Sequence, residues 1–381
     1  MRKAALVSIV ALTLWVGACG GSSEGKVVGD SGLPQTDTAP SPSPFVPAAI
    51  ENVIESLVGA ITTKNIAAVV KPPVAVLLKD LTGFWAPVVV GSNRMIARLA
   101  LPAVVQAPLI ADQSVSEDIK GTEQNKYIQS YLTGAIYQAM AVAPFSTNAE
   151  SIQYLDSFVA QRGPAVTLDS DSPTSTRSYL IATANFQAGA TAANTLRSFL
   201  NAGDTVAVFG TTDPNWASGM ERANGAEAAV VAAGLTLAPR IPVAWNAATD
   251  QATILAAISD PVLNIKGLLC MYSNSYLCAA AVEAAGMKGA IQIVGFDMET
   301  DTKTYFDLGY FAGIAVQRQY YMGELGVLIP YSLAILGPAK TAELIQPILV
   351  NGFLIDTGID IITTANYADY MAYLSLLGIN S

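Results

Sequence analysis

No histidine occurs anywhere in the 381 residues, and only three cysteines do. The usual zinc, copper and haem sites therefore lack ligands, and imidazole acid–base catalysis is excluded. Cations are scarce too: 20 Lys and Arg stand against 30 Asp and Glu, a net charge of −10. Such a chain has no positive surplus with which to neutralise phosphates, so nucleic acid is not expected as a partner. Neither a Gly-x-Gly-x-x-Gly nor a Gly-x-x-x-x-Gly-Lys-[Ser/Thr] motif is present, and nucleotide binding has no positive signal. Asp297 to Asp301 lacks the spacing of a calcium loop, and Asp169 and Asp171 are too close in sequence to flank a glycosidic bond. The expectation is a chain with no metal, no cofactor and no catalytic residues. What is present instead is apolar surface: 52% hydrophobic against 13% charged residues, with a mean hydropathy of +0.41. At this length that is enough for two core-bearing domains.

The longest early apolar run, Ala4 to Val16, follows Arg2 and Lys3 and falls short of the ~20 residues that span a bilayer. Val16-Gly17-Ala18-Cys19 closes it with small residues before a cysteine, which resembles a bacterial lipoprotein signal and its lipobox. On that reading residues 1–18 are removed, Cys19 is lipidated and a bacterial membrane holds the protein through that anchor alone. Losing Arg2 and Lys3 but no acid takes the net charge from −10 to −12. Residues 19–47 are rich in Gly, Ser, Pro and Asp and read as a disordered tether. Residues 48–73 return to apolar spacing at helical period (Ile50, Val53, Ile54, Leu57, Val58, Ile61), a leading helix stopped by Lys71-Pro72-Pro73.

From Val74 onward short apolar runs alternate with helical patterns. Strands are expected at 74–78, 103–106, 134–143, 165–168, 179–182, 205–209, 237–243, 267–272 and 291–296. Helices are expected at about 87–98, 124–131, 149–162, 186–202, 218–233, 249–257 and 276–286. Fully apolar strands alternating with helices argue for parallel sheets covered on both faces, in two doubly wound domains. Ligands in such sheets sit beyond the carboxyl ends of the strands. There the sequence is polar and aromatic: Lys79 to Trp85, Asp169-Ser170-Asp171, Thr211 to Trp216, Trp245-Asn246, Ser273-Asn274-Ser275 and Phe296-Asp297. Aromatic faces with carboxylates and amides suit a sugar, whose C–H faces stack and whose hydroxyls pair with planar side chains.

Gly83-Phe84-Trp85, Val166 through Pro173, Ala184-Asn185-Phe186-Gln187-Ala188-Gly189, Val294-Gly295-Phe296-Asp297 and Val316-Gln317 together resemble the type 1 periplasmic sugar-binding proteins, the ribose-binding-like receptors of ABC importers. The resemblance runs from about Val74 to Gly378. It implies two Rossmann-like α/β lobes joined by three crossovers, near 183–185, 317–318 and 356–358, which close on a ligand like a hinged trap. Residues 74–184 with 318–356 would form the N-terminal lobe, and 185–317 with 357–381 the C-terminal one. It also implies site roles: Phe84 and Trp85 as a stacking pair, Asp169 as acceptor of sugar hydroxyls, Arg222 as the second-lobe arginine with Asn215 nearby. Trp245 would stack further, Asn274 (or Ser273) would supply an amide, Phe296 and Asp297 an aromatic–acid pair, and Gln317 a hinge contact. Ala143 and Ser170 stand where the family commonly carries a polar residue and an arginine, so ribose itself is not the expected ligand. The implied protein is a monomeric receptor that delivers a sugar or sugar-like molecule, a monosaccharide above all, to an ABC permease; the alternative is a sensory receptor of the same fold that reports a sugar or a non-sugar ligand to a membrane protein. Cys270 and Cys278, eight apart, are expected as small buried thiols in preference to a disulfide.

Overall fold

The computed structural model describes residues 43–64, 71–112, 114–214 and 216–379. Cys19, the signal and residues 19–42 of the expected tether lie outside the described residues, whereas residues 43–47, expected as disordered tether, form a turn that buries Phe45 in the core. The first helix, α1 (Ala48–Thr63), buries Ile50, Val53, Ile54, Leu57 and Ile61 on one face. The helix was expected to run further, but it ends at Thr63, and 65–70 lie outside the described residues.

Two sheets follow. The first runs in the order β12-β13-β5-β4-β3-β1-β2. Its strands are β1 (Val74–Leu77), β2 (Ala103–Gln106), β3 (Ala139–Val142), β4 (Ala165–Leu168), β5 (Leu180–Ala182), β12 (Leu349–Val350) and β13 (Leu354–Asp356). The second runs β14-β11-β10-β9-β6-β7, with β8 also paired to β6. It contains β6 (Thr205–Gly210), β7 (Thr236–Leu237), β8 (Ile241–Pro242), β9 (Ile265–Cys270), β10 (Gln292–Phe296), β11 (Gly313–Gln317) and β14 (Ile359–Ile362). Both sheets thus repeat one order, second–first–third–fourth–fifth strand, and the two α/β layers are those of the type 1 periplasmic-binding fold.

The central strands are buried on both faces, which is why they read as unbroken apolar runs: β1, β3 and β4 expose nothing along their length. Several expectations are corrected. The sheets are not wholly parallel, because β12 with β13 and β11 with β14 pair antiparallel at the edges. The strand expected at 134–143 spans only Ala139–Val142, because α3 (Glu117–Gly134) extends to Gly134 and stops at Ala135 in the left-handed region. The strand expected at 237–243 is broken into β7 and β8, with Pro239 between them unable to donate to a ladder.

Helices cover both sheets, and two pairs set the lobes' packing. After β5 the chain crosses to the second sheet and forms α5 (Asn185–Arg197), which packs on α6 (Ala217–Ala232). After β11 it crosses back and forms α10 (Gln319–Leu336), buried nearly all round and packed on α2 (Ala86–Leu99). Glycine permits both contacts. A Cβ on Gly189 or Gly225 would overlap a backbone carbonyl of the opposite helix, Arg222 and Phe186 respectively. A Cβ on Gly91 or Gly323 would do the same to Tyr320 and Val88. The same close approach at the same place in each lobe is a second sign of an internally repeated architecture. A third crossing joins β13 to β14.

Hydrogen bonds tie the three crossings together. Asp356 Oδ1 accepts from Ala184 N at 2.9 Å and Gly358 N at 2.8 Å, and Thr183 Oγ1 donates to Gln317 Oε1 at 2.9 Å. Arg318 pairs bidentately with Asp360 at 3.0 and 2.7 Å. The tail helix α12 (Tyr367–Leu376) brings Tyr370 and Tyr373 against Phe45, while Tyr321 Oη lies 2.9 Å from Tyr373 Oη and donates to Glu51 of α1 at 2.7 Å.

Candidate functional site

The carboxyl ends of both sheets face each other across the crossings, and the repeat places equivalent residues there. Asp169 directly follows β4 and donates its N–H to Ile181 of β5 at 2.9 Å. Asp297 directly follows β10 and donates to Ala315 of β11 at 2.8 Å. Both then turn into the left-handed region, at φ 57° and 55°, and Trp245, shortly after β8, does so at 59°. Non-glycine residues held there cost of order 1–3 kcal/mol and concentrate at binding sites. Of the ten candidate ligand contacts, three share this conformation.

Arg222, on α6, is only 6% exposed. Its Nε and Nη2 donate to Asn185 Oδ1 at 3.0 and 2.7 Å, and Nη1 donates to the Met271 carbonyl at 3.0 Å. The guanidinium lies 4.2 Å from the Phe296 ring centre, so Phe296, fully buried, backs the arginine as a cation–π floor. These bonds use three of five N–H groups and leave two for a guest. Asp169 and Asp297, from opposite lobes, both act on this cation. Burial pushes both carboxyls above the usual range, against the pull of Lys79 and Arg222 on Asp169 and of Arg222 and Gln317 on Asp297. Burial likewise lowers Arg222, opposed by the two carboxylates. Groups desolvated this far have lost water contacts that a polyhydroxylated guest can replace.

Among the described residues Asp169 accepts one hydrogen bond, from Ser170 Oγ at 3.3 Å, and so keeps acceptor capacity. Asp297 accepts from Gln317, through its N at 3.3 Å and its Nε2 at 3.1 Å. Gln317 therefore links Thr183 on one crossing to a site carboxylate. Asn274 Oδ1 is buried and has no hydrogen-bond partner among the described residues, a cost that an incoming donor would relieve. Asp171, by contrast, is consumed locally by Arg177, Thr167 and the Ser172 amide.

The aromatic candidates separate. Phe84 is half-buried in the middle of a short 3-10 turn, edge-to-face with Trp85 at 5.1 Å, whereas Trp85 is sunk in the core. Trp245 is exposed and packs with Trp216 and Tyr272. Asn215 lies outside the described residues. A cavity of about 490 Å³ runs from Phe84, Asp297 and Gln317 along the hinge side to Tyr320, Tyr370 and Leu377. Asp297 and Gln317 line it, whereas Asp169 and Arg222 do not.

Three further polar side chains, not singled out by the sequence pattern, stand beside these candidates. Lys79, two residues beyond the end of β1, is partly buried beside Asp169 and 4.0 Å from Glu117, with desolvation lowering its pKa. It supplies a first-lobe cation where Ser170 offers none. Asn185 holds Arg222, and Glu299 lies against Gly83 and the Phe84 amide from the other lobe. Their shared signal is polarity immediately after a strand or at a helix start. Cys270 and Cys278 form a disulfide, correcting the expectation of free thiols: α8 (Tyr276–Ala284) folds back over the end of β9 and brings the two Cα atoms to 6.7 Å. The bridge encloses the loop that presents Met271, Tyr272 and Asn274.

A family model described as a periplasmic binding protein domain matches residues 74–337. The chain belongs to the periplasmic binding protein family. That family is a class of extracytoplasmic substrate-binding proteins. Solved structures similar to this binding protein include a solute-binding protein of an ABC transporter from Burkholderia graminis in complex with D-arabinose. It is 23% identical, with a TM-score of 0.62, covering 77% of this chain and 96% of that one. A sugar ABC transporter sugar-binding protein from Bacillus halodurans is 19% identical, TM-score 0.66, over 79% and 99%. AraP, an arabinose-binding protein from Geobacillus stearothermophilus, is 18% identical, TM-score 0.66, over 78% and 97%. No curated protein matches the chain. Among the described residues of this binding protein no helix is long and apolar enough to cross a membrane, and no group of three or more Cys, Asp or Glu could hold a metal ion.

Proposed function

We propose that this periplasmic binding protein captures a monosaccharide ring between its lobes and delivers it to an ABC permease, without chemical change. The observation that carries the reading is the pair Asp169 and Asp297, in equivalent left-handed positions after equivalent strands, acting from opposite lobes on Arg222. One cation flanked by two acceptors offers donors and acceptors together, as a vicinal diol requires. Phe84 supplies a stacking face, Asn274 and Gln317 supply amides, and Lys79 stands in for the arginine absent at Ser170. Closure would bend the crossings at 183–185, 317–318 and 356–358, with residues 74–184 and 318–356 moving against 185–317 and 357–381. Similar structures holding D-arabinose, D-fucose and tagatopyranose support a sugar as the ligand class. Lipidation at Cys19 would keep a monomeric receptor at the membrane next to its permease.

A thermal-shift screen of the protein against pentoses and hexoses tests this. Ligand at 100 times its Kd adds about 2.7 kcal/mol of stability. A shift with a sugar, lost in Asp297→Asn and Arg222→Met but retained in Asp171→Asn, supports the reading. Silence from every sugar sinks it.

A further inference from the structure

One second-lobe carboxylate reaches the first lobe without belonging to the paired-carboxylate site. Glu299 follows Asp297 by two residues and stands in extended backbone at the N-cap of α9 (Thr300–Asp307). An acid at that position ordinarily accepts from the first amides of its own helix. Glu299 does not: its side chain makes no capping bond to α9 and, among the described residues, no hydrogen bond or ion pair within its own lobe. Burial, and then the like charges of Asp297 and Asp301, push its pKa up. Inside its own lobe this carboxylate is therefore a cost.

The opposite lobe supplies its partner. Both carboxylate oxygens lie against Gly83, 3.9 and 4.0 Å from where a Cβ on that residue would sit, and the Phe84 amide donates to the carboxylate. The turn Gly83–Trp85 runs straight into α2, and its own loop has no acceptor to spare for Phe84. Asp80 Oδ1 takes the Thr82 amide at 3.0 Å, the Thr82 carbonyl takes Trp85 N at 3.0 Å, and the Thr82 side chain caps nothing. An anion is favoured at such a helix start, where amides lack partners and the dipole is positive. Both sides of the contact are held in place. Buried Thr302 fixes the start of α9 by donating to the Ser273 carbonyl at 3.2 Å, and the Phe84 ring rests edge-to-face on Trp85.

Resting on the reading of the cleft as a sugar trap, we propose that Glu299 is the latch of the closed lobes: from the second lobe it caps the first-lobe turn that carries Phe84, and so holds that ring over the sugar. It is a positioning residue, acting through the Phe84 backbone. Opening the cleft separates acceptor from donor, so the latch governs release of the sugar more than its capture.

The test pairs stopped-flow binding of D-arabinose, D-fucose and D-tagatose with hydrogen exchange of segment 81–88, on the full chain in detergent. Glu299→Ala should release sugar at least fivefold faster with kon within twofold, a split that a folding defect would not produce, and should speed exchange of the Phe84 amide. Glu299→Gln, which keeps an acceptor oxygen, should recover part of both. Asp301→Asn removes the same charge from the same helix start and should change neither. With sugar bound by the wild type, an unchanged koff or an unchanged exchange in Glu299→Ala overturns the latch and leaves the sugar reading standing. Binding of none of the three sugars counts against the sugar reading, and exchange then decides the latch alone: faster in Glu299→Ala supports it, equal overturns it.

Discussion

Replacing Glu324 by glutamine should remove a pH dependence that the wild-type protein carries below neutrality. Glu324 lies on α10, 3% exposed, under α1 and α2. Tyr320 Oη donates to it at 3.2 Å and Arg94 Nε stands 3.7 Å away, while Glu51 of α1 adds like charge. Burial dominates and raises its pKa from 4.5 to about 7. A folded-state pKa above the unfolded one means the native state binds the proton more tightly. The contribution is complete below pH 4.5 and is lost as pH rises through 7. At 1.36 kcal/mol per unit, the native state gives up about 3 kcal/mol across that window. For a chain of this size that corresponds to roughly 6 °C, taking about 2 °C per kcal/mol. Thermal unfolding followed from pH 4.5 to 8 reads it directly. Glu324→Gln should match wild type at pH 4.5 and be the more stable protein at pH 8. Parallel curves for the two proteins would refute the assignment.

Two further outcomes follow from the packing and the disulfide. Gly225→Ala should force α5 from α6 against the Phe186 carbonyl, costing about 1–3 kcal/mol, and should weaken sugar binding beyond that cost because Arg222 rides on the displaced helix; circular dichroism melts paired with titration separate the effects. Reducing Cys270–Cys278, or making Cys270→Ser, should cost roughly 2–3 kcal/mol by the loop-entropy relation for so short a loop, and unchanged melting under reductant would contradict it.

Much of the fold was legible because parallel strands buried on both faces leave an unmistakable apolar signature, as at 74–77, 139–142 and 165–168. The edges were not. Strands β12, β13 and β14 are two to four residues long and half-buried, so their pattern is too weak to rise above loop composition. At the site, a carboxylate after a strand marked Asp169 and Asp297 equally well as helix caps or as contacts. Only the left-handed backbone and the shared arginine distinguish them from Asp171, which spends its charge on Arg177. Phe296 and Trp85 show the reverse: aromatic at the right address, yet turned into the core, where one supports Arg222 and the other supports Phe84.

The sequence by itself determined the alternation of strands and helices, the scarcity of cations, and the absence of imidazole chemistry, because these depend on local pattern and composition. Tertiary structure alone decided that Cys270 meets Cys278 and that Lys79 faces Asp169. It also decided that Trp216, Tyr272 and Trp245 become one surface, although 56 residues separate the first from the second. Such meetings are set by which strand ends the sheet order brings together, and no periodicity along the chain encodes that distance.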